Sequence, residues 1–292
     1  MKKKNIFNKL IGFIIVILLC AFLGLLSYLQ NKPQIDINED ILRVYYFDVG
    51  QADCTLVVNN GQTMLIDGAN EADSENIIDY MKNNLGVSKL DYVIATHPDT
   101  DHIAGLDKLI LAFDADCIYM PITTKTNKEM NELYQAIENR TVINPTASDY
   151  FYLGNSKCTI LNSGDTSKVS DNNSSIVIQL DYGETSCLFM GDAETEVEDN
   201  VTWNDIDVLK VSHHGSNDAT SQLFLEAVLP EYSIISVGSN NSHNHPSSET
   251  LERLNDINST IYRTDVDGTI ILISDGTNYY FDFDKTSLDG NK

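Results

Sequence analysis

Two histidines and two aspartates fall within six residues, His97-Pro98-Asp99-Thr100-Asp101-His102, in a chain with six histidines in all. Imidazole nitrogen and carboxylate oxygen are the usual N and O ligands of zinc and related divalent ions. Residues two apart on an extended stretch share a side. His97, Asp99 and Asp101 can therefore face one way, and a turn brings His102 to them from a helix start. One short loop could supply ligands to two metals. An N-cap on the helical pattern Ile103–Ala112 accounts for Asp101. It leaves both histidines and Asp99 without a reason.

Such a loop needs a frame. Apolar runs bounded by turn residues recur along the chain: LRVYYFDVG, CTLVVNNGQTMLIDG, LDYVIATH, SSIVIQLDYGETSCLFMGD, DVLKVSHHG, YSIISVG, STIYRT, GTIILIS and YYFDF. They read as strands, several joined by Asn-Gly, Tyr-Gly or Asp-Gly turns. Helical patterns lie between them at Ser74–Leu85, Ile103–Ala112, Asn127–Asn139, Gln222–Val228 and Ser248–Asn255. Hairpins alternate with helices twice. That predicts an α/β fold, two mixed sheets packed together with helices outside, in four αββα layers. The chemically unusual residues sit just after strands. Asp67 follows TMLI, His97 follows DYVIAT, Asp192 follows CLFMG, and His213 and His214 follow DVLKVS. Strand ends are where a sheet carries binding groups on a rigid frame.

The H-x-D-x-D-H pattern resembles the metal signature of the metallo-β-lactamase superfamily, commonly H-x-H-x-D-H. Within it, FDVGQADCTLV, LIDGAN, VSHHGSND with SVGSNNSHNHPS, and YRTDVDGTI resemble the soluble domain of ComEC-type competence proteins. The resemblance runs from about Ile41 to about Ile273. It implies the four-layer fold, two divalent metal ions, zinc or manganese, and a role for each matching residue. His97 and Asp99 would hold the first metal, and Asp101 and His102 the second. Asp192 would bridge the two. One of His213 and His214 would complete the second site, with His214 preferred and His213 left to meet substrate. Asp67 would orient the ligand loop, and His245 would reach substrate from a late loop.

Two departures stand out. Asp99 occupies a common histidine position. No histidine occurs between His102 and His213, and Asn172-Asn173-Ser174 stands where the middle one is expected. The first site is poorer in nitrogen and richer in oxygen, which favours harder ions such as Mn²⁺. Other residues have open readings. Asn173 and Ser216 either contact substrate or cap local structure. Gln51 and Asp53 either face the site or make a polar turn. Arg263 forms an ion pair or binds an anion. His243 reads as a loop residue.

A paired-metal site activates water for attack on the group it polarises. Phosphodiester hydrolysis suits it best, with Asp101, His213 and His245 as catalytic candidates. The ComEC-type resemblance points to DNA, with degradation of a single strand as the implied role. Phosphorylcholine esterases of cell-wall polymers share a similar pattern, so a wall or small phosphodiester is the alternative. A non-catalytic binding protein that kept the fold is a third reading.

Charge bears on that choice. The chain carries a net −24, with 19 basic and 43 acidic residues. Four of the bases and none of the acids lie in the first thirty residues, so 15 bases face 43 acids thereafter. A duplex-DNA binder normally shows a basic patch; here the global field repels polyanions.

The N-terminus differs from the rest. Residues 1–9 are basic, and Leu10–Leu29 is uncharged for twenty residues. At 1.5 Å per residue this spans about 30 Å, the depth of a bilayer core. No small-residue cleavage site follows, which predicts an uncleaved anchor; cleavage after Leu29 is the other reading. The flanking lysines put the N-terminus in the cytoplasm and the remainder outside the cell membrane, a single-pass topology. The expected organisation is a basic segment 1–9, an anchor 10–29, a tether 30–40, a hydrolase domain 41–285 and a tail 286–292. The five cysteines form no C-x-x-C pair and leave disulfides and free thiols equally open. No protein partner is implied.

Overall fold

The computed structural model describes residues 36–291 together with 14, 15, 17–20 and 22. Continuous apolar runs become strands buried on both faces. One sheet has eight strands in the order β15 (Tyr279–Asp284), β14 (Thr269–Ser274), β1 (Leu42–Tyr46), β2 (Thr55–Asn59), β3 (Gln62–Ile66), β4 (Tyr92–Ile94), β5 (Cys117–Tyr119) and β6 (Thr141–Ile143). The other has seven, ordered β13 (Thr260–Arg263), β12 (Tyr232–Ile235), β11 (Val208–Lys210), β10 (Thr185–Phe189), β9 (Val177–Tyr182), β8 (Ser156–Asn162) and β7 (Tyr150–Leu153). Both are mixed. β1 pairs antiparallel with β2 and β14, whereas β3 to β6 run parallel. β7 to β10 are antiparallel, whereas β10 to β13 run parallel.

Turn chemistry sets the hairpin registers. Asn59 lies opposite Gln62, closed by Asn60-Gly61 with φ of 47° and 78°. Two left-handed residues in a two-residue loop match the right-handed twist of the strands they join. The β9–β10 loop is also two residues, Gly183-Glu184 with Tyr182 opposite Thr185, but there only Gly183 is left-handed, at φ 59°.

Side-chain alternation then makes four layers. Leu42, Val44 and Tyr46 of β1 join Ile178, Leu180 and Phe189 in a core between the sheets. Tyr45 points the other way, to Ile77, Leu106, Leu109, Met130 and Leu133 of an outer helical layer. On the far side Leu188 and Leu209 meet Phe224, Leu225 and Leu254 of the second helical layer. Full burial of a side chain of this size contributes about 1.5–3 kcal/mol. The predicted αββα arrangement of two mixed sheets is the one observed.

Several expectations need correction. β5, β6 and the β7–β8 hairpin were not anticipated. The first two are three residues each, too short to show a period. The helical pattern Ile103–Ala112 divides into Thr100–Ile103 and Leu106–Ala112. A Cβ on Gly105 would lie 2.2 Å from the Gly68 carbonyl oxygen, so the backbone passes directly over the loop after β3. The segment expected as a tail is held: Leu288 is buried and its N–H donates to the Asp48 carbonyl at 2.8 Å. The span expected over Leu10–Leu29 lies mostly outside the described residues. Among the described residues no helix is long and apolar enough to cross a membrane. All five cysteines are free.

Candidate metal centre

The ends of β3 and β4 in one sheet and of β10 and β11 in the other converge. All six histidines of the chain form one connected cluster there. Ring centroids are 4.1 Å apart for His97–His102, 5.5 Å for His102–His214, 6.3 Å for His213–His214, 5.5 Å for His213–His245 and 5.6 Å for His243–His245.

Asp67, buried and left-handed at φ 59° just after β3, organises the inner half. Its Oδ1 accepts the Thr96 N–H at 2.8 Å, and its Oδ2 accepts the Thr96 hydroxyl at 2.7 Å. The same Oδ2 lies 2.7 Å from His102 Nδ1. A carboxylate only accepts, so His102 Nδ1 carries the proton. Thr96 has spent its one proton on Asp67, so its oxygen accepts from His97 Nδ1 at 3.1 Å. His214 Nδ1 donates to the Ser236 carbonyl at 2.9 Å. All three rings thus keep Nε2 as the nitrogen free to bind a cation, the usual way an outer partner sets a ligand tautomer.

These Nε2 atoms face carboxylates. Asp192 Oδ1 is 3.3 Å from His102 Nε2, and its Oδ2 is 3.7 Å from both His97 Nε2 and His213 Nε2. Asp99 Oδ2 lies 3.7 Å from His97 Nε2, and Asp101 Oδ2 lies 3.2 Å from His214 Nε2. His97 Nε2, His102 Nε2 and Asp192 Oδ1 are buried with no hydrogen-bond partner. Orphaned buried polar atoms are costly. Divalent ions beside them would satisfy all three, so the residues present fit the metals that the sequence implies. Ligand atoms of Asp53, His102, Asp192 and His214 lie within 4.8 Å of one another.

The carboxylates around the rings dominate the electrostatics. Burial alone would lower His102, but Asp192 and Asp67 outweigh it and raise it well above the usual imidazole range. Burial would raise Asp192, yet His102 and His214 hold it well below the usual carboxylate range. Burial likewise opposes the shift of Asp101, which His214 and His102 pull down to about 2. His97 and then Lys125 depress Asp99. The site is a set of charges that compensate one another.

The remaining candidates fall as follows. His213 and His214 are both left-handed, at φ 50° and 52°. That backbone strain, of the kind stored at functional sites, turns the two consecutive rings to different carboxylates, His213 to Asp192 and His214 to Asp101. His245 lies beside His213, its Nδ1 buried and without a partner. Ser216 is buried; its Oγ accepts from the Asp218 N–H at 3.3 Å, and it lines a cleft of about 320 Å³ with His243, His245 and Glu249. Asn173 is spent elsewhere: its Oδ1 accepts from the Glu194 N–H and its Nδ2 donates to Glu196 Oε2, each at 3.0 Å. Arg263 forms a two-pronged pair with Asp265 at 2.9 and 2.7 Å. Gln51 accepts from the Gly238 N–H at 3.1 Å.

Two lysines at the site escaped sequence reasoning. Lys210 is buried and its Nζ is 2.9 Å from each oxygen of Asp53. A charge inside the apolar run DVLKVS was the available signal. Lys125 contacts Asp99, and nothing near it in sequence marks it.

Comparison with known proteins agrees with the fold. The chain matches the model of the Metallo-beta-lactamase superfamily over residues 47–239. It is 32 % identical over 263 residues to Recombination protein 2 of Haemophilus influenzae, covering 87 % of this chain and 31 % of that protein. It is 31 % identical over 191 residues to ComE operon protein 3 of Bacillus subtilis, covering 63 % of this chain and 25 % of that protein. The chain thus spans a third or less of the length of these relatives. Among solved structures, the metallo-beta-lactamase fold protein YhfI of Bacillus subtilis superposes with a TM-score of 0.56 at 13 % identity, covering 81 % of this chain and 100 % of that one.

Proposed function

The chain belongs to the metallo-beta-lactamase superfamily, generally metal-dependent hydrolases, and is related to competence proteins; from this we propose that it hydrolyses phosphodiester bonds, DNA first among them. The observation that carries the reading is Asp192. Its two oxygens face different histidines, His102 on one side and His97 with His213 on the other, as a carboxylate shared between two ions requires.

His97, Asp99 and His213 would hold the first ion with Asp192 Oδ2. His102, Asp101 and His214 would hold the second with Asp192 Oδ1, and Asp53 lies close enough to join them. Zinc or manganese fits, and the carboxylate-rich first site suits the harder ion. Two such ions would supply an activated water and polarise the phosphoryl group whose phosphorus that water attacks. The protein's own part is placement. Asp101, fixed against His214, would orient the attacking water by accepting a hydrogen bond from it. His245 is pushed down to about 4, by burial first and then by His213. It is therefore neutral at pH 7. Its ring N–H donates to a non-bridging phosphate oxygen and is a poor proton source for the leaving group.

A second reading, a wall-polymer or small phosphodiester such as a phosphorylcholine ester, draws on charge. Both lysines at the site are committed to carboxylates, and the cleft beside His245 is lined by neutral and acidic groups and histidines. A polyanion gains little from either. The uncharged run Leu10–Leu29 behind four lysines supports an anchor that places this domain outside the membrane.

Incubation of the protein with labelled single-stranded DNA and with bis(p-nitrophenyl) phosphate, in Zn²⁺ or Mn²⁺, separates the readings. Cleavage of both supports the nuclease. Hydrolysis of the small ester alone moves the substrate to the second class. Turnover of neither, at full metal loading, rejects phosphodiester chemistry.

A further inference from the structure

Asp99 is the outermost of the proposed ligands, with a side chain 36 % exposed. An exposed carboxylate rotates freely unless something holds it. Lys125 does so: its Nζ donates to Asp99 Oδ1 at 2.5 Å, leaving Oδ2 as the oxygen that faces His97 at 3.7 Å. The lysine is held in turn by Asp171, whose Oδ2 accepts from it at 2.9 Å.

Asp171 immediately precedes the turn Asn172–Ser174, the segment where the resemblance leads one to expect a histidine. That turn offers no ligand of its own. Asn172 Nδ2 donates to Glu194 Oε1 at 2.8 Å, and Asn173 is engaged by Glu194 and Glu196. The segment reaches the first subsite through Asp171 and Lys125 instead.

We propose that Lys125 is a positioning residue of the first metal subsite: anchored by Asp171, it pins the outer oxygen of Asp99 so that the inner one is presented to the ion that His97 binds. This rests on the reading that His97 and Asp99 hold an ion. Two effects compete. The ammonium charge repels a dication, and the fixed carboxylate attracts it. Two carboxylates already neutralise the lysine, so orientation outweighs repulsion. Loss of such an outer partner typically weakens metal affinity about 10–100-fold.

Chelator competition with Zn²⁺ and with Mn²⁺ on the full chain tests it, without any assay of turnover. Wild type is expected to bind two ions, and His97→Ala identifies which constant belongs to the first. Lys125→Met should weaken that ion about 10–100-fold and leave the other unchanged. Lys125→Arg, which can still bridge two carboxylates, should restore it to within a fewfold of wild type. Asp171→Asn frees the lysine without touching a ligand and should shift the same constant in the same direction. Unchanged or tighter binding in Lys125→Met, or an arginine variant as weak as the methionine one, overturns the role of Lys125 alone. A wild type that binds a single ion overturns it together with the two-ion reading.

Discussion

Thr96 has one hydroxyl proton and gives it to Asp67. That decides the tautomer of His97, whose Nδ1–H then has an oxygen to donate to. Asp67 therefore controls two ligands, His102 directly and His97 through Thr96. The consequence is testable with a nearly isosteric change. Thr96→Val keeps the shape and removes the hydroxyl, so His97 loses the group that fixes Nε2 inward. The ion at His97 should bind about 10–100-fold more weakly, while the ion at His102 is affected less. Competition titration gives both constants. Equal weakening of the two would show that orientation does not pass through Thr96.

At the scale of elements, the sequence revealed the carriers of the site better than its internal geometry. Long apolar runs announced β2, β3, β9, β10 and β14. Asp67, His97, Asp192 and the His213-His214 pair were visible because each follows such a run. Asn60-Gly61 announced its hairpin, since two adjacent left-handed residues demand that chemistry. What stayed hidden depends on contacts distant in sequence. The left-handed bend at Ser212–Gly215 separates the roles of two neighbouring histidines, and no spacing rule encodes it. Gly215 continues that bend at φ 81°, and a Cβ there would lie 2.6 Å from Pro246 Cβ. The tight approach keeps His213 beside the loop that carries His245. Lys125, 26 residues from Asp99, had no local mark at all. Asn173 looked like a site residue from its place in the motif order, yet its amide serves the segment Glu194–Glu196.

For the whole molecule, the dominant fact is 43 acids against 19 bases. A basic DNA-binding surface loses affinity as salt rises, through counterion release. This protein should do the opposite. Raising ionic strength from about 0.01 to 0.1 M shortens the screening length from about 30 to about 10 Å, which weakens repulsion between the acidic surface and a polyanion. For single-stranded DNA, kcat/KM should therefore rise severalfold over that range, while hydrolysis of bis(p-nitrophenyl) phosphate stays nearly flat. A steep fall for DNA would reveal a local basic track that overrides the net charge.

The central claim is that one buried carboxylate, Asp192, joins two metal subsites into a hydrolytic centre. Asp192→Asn keeps the volume and replaces one ligand oxygen with an amide nitrogen that cannot bind a cation. The most direct measurement is bound metal, together with hydrolysis of bis(p-nitrophenyl) phosphate, in wild type and in this variant. Two ions in wild type are expected. The variant should bind at least one of them far more weakly and lose about a thousandfold in rate, several kcal/mol of transition-state stabilisation. An Asp192→Asn protein that holds two ions as tightly as wild type and turns over at the same rate would contradict the account.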